Sequence, residues 1–223
     1  MTAILVLATF VVLLTLEYFM HGKPAAGGQL AAQVPIPKSP RMLPEFVAGF
    51  ALPENLRYHP GHTWALSESP NLVRVGMDDF AARLTGSVAK ITLPQRGQWV
   101  RQGQKVATLF RNGAKAELVS PMEGIVADVN DAVQQNPELA RRDPYGEGWL
   151  IQLNAPDAKL NFRNLLSGAV ARRWMEEAAA RLSLHMGTPA TALAQDGGVA
   201  VEDVSALLPD EKWTGLTQEF FLS

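Results

Sequence analysis

The sequence predicts a mainly β domain with C-terminal helices, preceded by one N-terminal transmembrane helix. Three observations lead there. The first twenty residues are almost wholly apolar, the middle of the chain alternates short apolar runs with turn residues, and the last third carries apolar residues at helical spacing. Composition narrows the chemistry. The 223 residues carry a net charge of −2, without the basic excess expected of a nucleic-acid surface. Cysteine is absent, which excludes a disulfide framework, thiolate metal ligation and thiol catalysis. A hydrophobic fraction of 47% is enough to build a core.

The apolar stretch from Met1 to Met20 is interrupted only by Thr2, Thr9, Thr15, Glu17 and Tyr18. As a helix, Ala3 to Met20 would be roughly 27 Å long, close to a bilayer's hydrocarbon core. No Lys or Arg precedes the run, unlike a cleaved signal peptide. Lys23, Lys38 and Arg41 follow it, so the positive-inside rule expects the N-terminus outside and the body of the protein in the cytoplasm, held at the cell membrane. Residues 1–21 are therefore read as the anchor and 22–51 as a Pro/Gly-rich linker. Five prolines and three glycines fall between Gly22 and Pro44, a composition for an extended, semi-rigid spacer.

Residues 52–155 are read as the β domain. VRVGM, VAKITL, QWV, KVATLF, AELVS, GIVADV and GWLIQL are its expected strands. Gly86 and Gly124 are expected to open two similar halves of a small sandwich. Just before Gly86, Asp78 and Asp79 lead into Phe80–Leu84, a carboxylate cap followed by a short helix, with both aspartates capping and solvated.

These residues carry a family resemblance. Tyr58, His62 and Trp64, the run VGMDDFAARLTGSVAKITLPQRGQWVRQGQ, Ser120-Pro121-Met122-Glu123-Gly124, Val129-Asn130 and PELARRDPYGEGWLIQL together resemble the glycine cleavage system H protein, a lipoyl-carrier domain. The resemblance implies a lipoyl-type flattened β-barrel, the barrel-sandwich hybrid, with helices after it. It also implies lipoate on a lysine at a hairpin tip, in a segment like E-S-V-K-A. Counting without gaps from Gly103 to Ser120 puts Gly113 at that lysine and Phe110 at the preceding acidic residue. Asn112-Gly113 is itself a strong hairpin-turn signal. Lys115 is the nearby lysine, two residues down-strand on the same face.

Elsewhere, His59 and His62 have an i, i+3 spacing, but the intervening Pro60-Gly61 marks a turn and no carboxylate stands at ligand spacing. His62 with Trp64 reads as packing and hydrogen bonding, and no metal is expected. Phosphate-loop, dinucleotide and nucleophile-elbow motifs are missing from the sequence.

Residues 156–186 read as a helical segment, with one helix from Asn161 to Leu184 and Arg172/Glu176 and Arg173/Glu177 pairs on its exposed side. Residues 187–223 form an extension with a terminal helix from Pro209. Its Trp213, Leu216, Phe220 and Phe221 are candidates for binding a partner, or else for capping the sandwich of the same molecule. The expected function is a non-catalytic, unlipoylated accessory subunit of a membrane complex, needing no cofactor and contacting the lipid bilayer and neighbouring subunits. The alternative is a lipoyl carrier moving an aminomethyl group on Lys115.

Overall fold

The computed structural model of the chain describes residues 45–187, 194–195, 199–200 and 203–222. The transmembrane helix expected at 1–21 and most of the expected linker lie outside them. Among the described residues no helix is long and apolar enough to cross a membrane. Residues 42–223 form one compact unit.

That unit begins earlier than the sequence indicates. β1 (Phe46–Val47) and β2 (Phe50–Ala51) pair as a small hairpin inside the stretch read as linker, 22–51. Burial explains the correction. Val47, Phe50 and Leu52 enter the core, and Ala51 is held from both sides. Its N–H donates to Asp79 Oδ2 at 2.8 Å, and its carbonyl accepts from the Tyr145 hydroxyl at 2.6 Å.

Two antiparallel sheets follow. The larger contains β3 (Arg57–His59), β4 (Thr63–Ser67), β5 (Leu72–Met77), β7 (Trp99–Val100), β10 (Gly124–Val129) and β11 (Ile151–Asn154), in the order β3-β4-β5-β11-β10-β7. The smaller is β6 (Lys90–Thr92), β8 (Lys105–Arg111) and β9 (Ala114–Val119), in the order β6-β8-β9. Each expected strand run appears in one of them. Alternation sends Val73, Val75, Leu109, Leu118 and Leu153 into a shared core with Trp64.

Helix α1 (Asp79–Thr85) starts where Asp78 accepts from Ala81 N–H at 2.8 Å. The cap is as expected, but the aspartates are not solvated. Asp78 is fully buried and Asp79 nearly so. Gly86 ends α1 at φ +65, and a Cβ there would meet Ser205 Oγ at 1.9 Å. Gly124 instead begins a strand. The two glycines therefore do not occupy equivalent places, because one serves a helix end and a close approach, the other a sheet.

Short helices α2 (Asp131–Gln135) and α3 (Glu138–Arg142) bridge β10 and β11. The single helix expected over 161–184 is divided. α4 (Ala158–Asn161) and a 3₁₀ turn at Phe162–Asn164 precede α5 (Gly168–Met186). The break is a tertiary contact, since Leu166 leaves helical geometry to exchange backbone hydrogen bonds with Tyr58 on β3. Arg173 pairs with Glu177 as expected, whereas Arg172 turns to Glu45 and Glu54. In the extension, β12 (Ala194–Gln195) pairs with β13 (Val199–Ala200). A 3₁₀ turn at Val204–Leu207 then leads to α6 (Asp210–Phe221), which begins just after Pro209.

Candidate functional site

The hairpin joining β8 to β9 turns at Asn112-Gly113, with φ of 48° and 84°. Two successive left-handed residues make the tight turn whose twist matches its strands, and Asn-Gly is the pair best suited to it. A Cβ on Gly113 would meet nothing within 4 Å. The tip is thus open, and it carries no amine at the position that the resemblance assigns to the lipoyl-lysine.

Lys115 lies one cross-strand pair further down, opposite Phe110. Its side chain is 63% exposed and its Nζ stands 3.3 Å from Glu117 Oε1. That contact draws the amine along β9 away from the tip. Lys105 also pairs with Glu117, and its hydrogen bond is the main cause holding the Glu117 carboxyl below the usual carboxylate range.

Beside the tip, a cleft of about 370 Å³ is lined by Ser87, Val88, Arg111, Asn112, Asp203 and Ser205, among others. Two of those come from the extension. Arg111 Nη2 donates to the Ser205 carbonyl at 3.1 Å, and its guanidinium lies 5.4 Å from the Trp213 ring centroid. The extension therefore grips the strand that bears the hairpin.

The four residues named as partner candidates are committed inside their own chain. Trp213, Leu216, Phe220 and Phe221 are all buried, at 0%, 3%, 1% and 0% exposure. Trp213 Nε1 donates to the Leu84 carbonyl at 3.1 Å, and Phe220 lies 4.9 Å from Phe80. The partner-binding expectation is corrected here in favour of capping in cis. Helical spacing gives an apolar stripe without saying whose core it enters.

A second cluster escaped the sequence. His62 is fully buried, with Nδ1 2.8 Å from Asp78 Oδ2. Its ring stacks on Phe80 at 4.1 Å and meets Trp174 at 4.6 Å, and its Nε2 has no partner among the described residues. A carboxylate does reach this histidine, contrary to the spacing argument, because pairing of β4 with β5 brings Asp78 back to the turn. Tyr58 and Tyr145 complete the surroundings, and burial raises both phenols well above their ordinary range. Burial likewise raises Asp79, opposed by Arg83. No group of three or more potential metal ligands occurs among the described residues.

Two antiparallel sheets sharing one core, with an open hairpin tip and helices after them, define a mainly β domain. Comparison with known proteins gives it a family. The model of the glycine cleavage H-protein family matches residues 56–178. A glycine cleavage system H protein from Anaeromyxobacter sp. strain K is 36% identical over 126 residues, which is 56% of this chain and 97% of that one. A probable glycine cleavage system H protein 2 from Sulfurisphaera tokodaii is 34% identical over 128 residues, covering 56% of this chain and 86% of its own. A crystal structure of an H protein from Mycobacterium marinum aligns with 27% identity and a TM-score of 0.44, over 47% of this chain and 86% of that chain. The chain belongs to the glycine cleavage H-protein family. The hairpin at 46–51 and the extension at 187–223 lie outside the matched residues.

Proposed function

We propose that this chain is a non-catalytic H-protein-type module that works through protein contacts and bears no lipoyl group at the usual position. One observation carries this reading: the open hairpin tip is Asn112-Gly113, with no amine to acylate. A domain can keep its barrel and lose its arm, since function sits on a site grafted onto the fold. The apolar run from Met1 to Met20 supports an uncleaved anchor that would tether the module at a membrane as an accessory subunit. Intact mass of the protein from its host tests the first part and extraction with alkaline carbonate the second. An unmodified mass and retention in the membrane are the expected results.

A second reading has its own support. The relatives are named glycine cleavage system H proteins, and Lys115 offers an exposed amine near the tip. In that case Lys115 carries lipoate and the chain is a carrier. Mass spectrometry of the peptide containing Lys115 separates the two, and substantial lipoyl occupancy there would replace the first reading by the second.

A further inference from the structure

An interaction module needs a surface, and the outward face of the small sheet has the composition of one. Alternation along β6, β8 and β9 buries Ile91, Leu109 and Ala116 and leaves Lys90, Phe110, Lys115 and Glu117 on the other side. Register sets Lys90, Phe110 and Lys115 in one row across the three strands, beside the tip. Lys90 Nζ stands 5.9 Å from the centroid of the half-buried Phe110 ring. An aromatic ring is thus flanked by two exposed lysines. Lys105 and Lys115 both reach Glu117. Three lysines against one glutamate leave this face positive in a chain whose net charge is −2.

We propose that this face is a docking site for an acidic segment of a partner protein, centred on Phe110 and gripped by Lys90 and Lys115. It rests on the reading of the chain as an interaction module with Lys115 unacylated. Charge complementarity selects the sign of the partner, and an aromatic centre within a polar rim is the usual anatomy of a contact patch. The face is a poorer match to a bilayer. Recognition of anionic lipid takes a cluster of roughly 4–8 basic residues, and this face supplies three, since Arg111 is turned to Trp213 and Ser205.

The test uses the full chain in mild detergent, shown by mass to be unmodified, and a fluorescein-labelled oligoglutamate peptide as probe. Saturable binding is expected, weakened as salt rises from about 50 to about 500 mM. Lys90→Glu with Lys115→Glu should lower affinity by about tenfold or more, and Phe110→Ala by about threefold. Lys159→Glu with Lys212→Glu makes the same change of charge at exposed helical positions outside the strands of the sheet and should leave affinity nearly unchanged. Absence of saturable binding, equal losses in both double variants, or capture of phosphatidylserine vesicles in place of the peptide would overturn the proposal. A lipoyl group found on Lys115 in the host would instead strike the functional reading, which the unmodified protein's binding does not address.

Discussion

Two tight turns in this domain share a backbone feature and differ in everything around it. Pro60–His62 joins β3 to β4, and Asn112-Gly113 joins β8 to β9. Each holds a non-glycine residue in the left-handed region, His62 at φ 59° and Asn112 at φ 48°. At the first turn, a Cβ on Gly61 would meet the Phe221 carbonyl oxygen at 2.8 Å and Val119 Cγ2 at 2.9 Å. At the second, one on Gly113 would meet nothing within 4 Å. The difference separates what holds the family's fold from what performs its usual task. A turn wedged between β9 and α6 is fixed by its neighbours, whereas a tip that touches nothing can gain or lose a side chain without disturbing the core.

The largest effect should come from His62→Ala. It removes a ring packed among Phe80, Trp174 and Phe220 and strands the Asp78 carboxylate in the interior. Breaking a buried pair in this way costs about 3–5 kcal/mol. Thermal or urea unfolding of the full chain measures it, and a loss below about 1 kcal/mol would erase the contrast between the turns. Trp213→Ala should come next. It empties a fully buried site and removes the stacking partner of Arg111, at about 3 kcal/mol. Hydrogen exchange should then rise in α6 together with β8, since Arg111 links the two.

Gly113→Lys should have a smaller effect on stability. Open space admits the side chain, but φ of 84° is a backbone state that a Cβ disfavours by about 1–2 kcal/mol. The same change returns an amine to the open tip. Incubation with a lipoate ligase and lipoate, followed by mass spectrometry, should give more acyl adduct than the parent chain does. If the parent is acylated equally well, on Lys115, the tip is not what limits modification.

How much of this was readable beforehand depended on whether the signal was local. The strands announced themselves by alternation, and Asn112-Gly113 by turn chemistry, because neighbouring residues decide both. The terminal helix was legible as a stripe of Trp213, Leu216, Phe220 and Phe221, though not as a cap on its own sheets. Non-local features were lost. Leu166 breaks a helical run to meet Tyr58, Phe50 draws a supposed linker into the core, and Asp78 reaches His62 only after two strands have paired. Each depends on a partner that no window along the chain contains.

The smallest predicted effect sharpens the comparison through pH. His59 Nδ1 accepts from Gly61 N–H at 3.0 Å, which requires an unprotonated nitrogen. Burial, and then the neighbouring His62, lowers the His59 pKa from its ordinary value of 6.5. The sign follows from linkage. Near neutral pH both folded and unfolded chains hold His59 uncharged, so its contribution there is level. As pH falls below about 6.5, the unfolded chain takes up a proton that the folded one resists, and stability drops until the lowered folded pKa is passed. His59→Asn should flatten this drop. Its Oδ1 can still accept from the amide two residues on, as in an Asx turn, but it does not titrate. The urea midpoint of the parent chain should therefore fall more between pH 7 and pH 5.5 than that of His59→Asn. Equal falls would mean that the packed turn tolerates a proton, and that its rigidity does not come from the hydrogen bond within it.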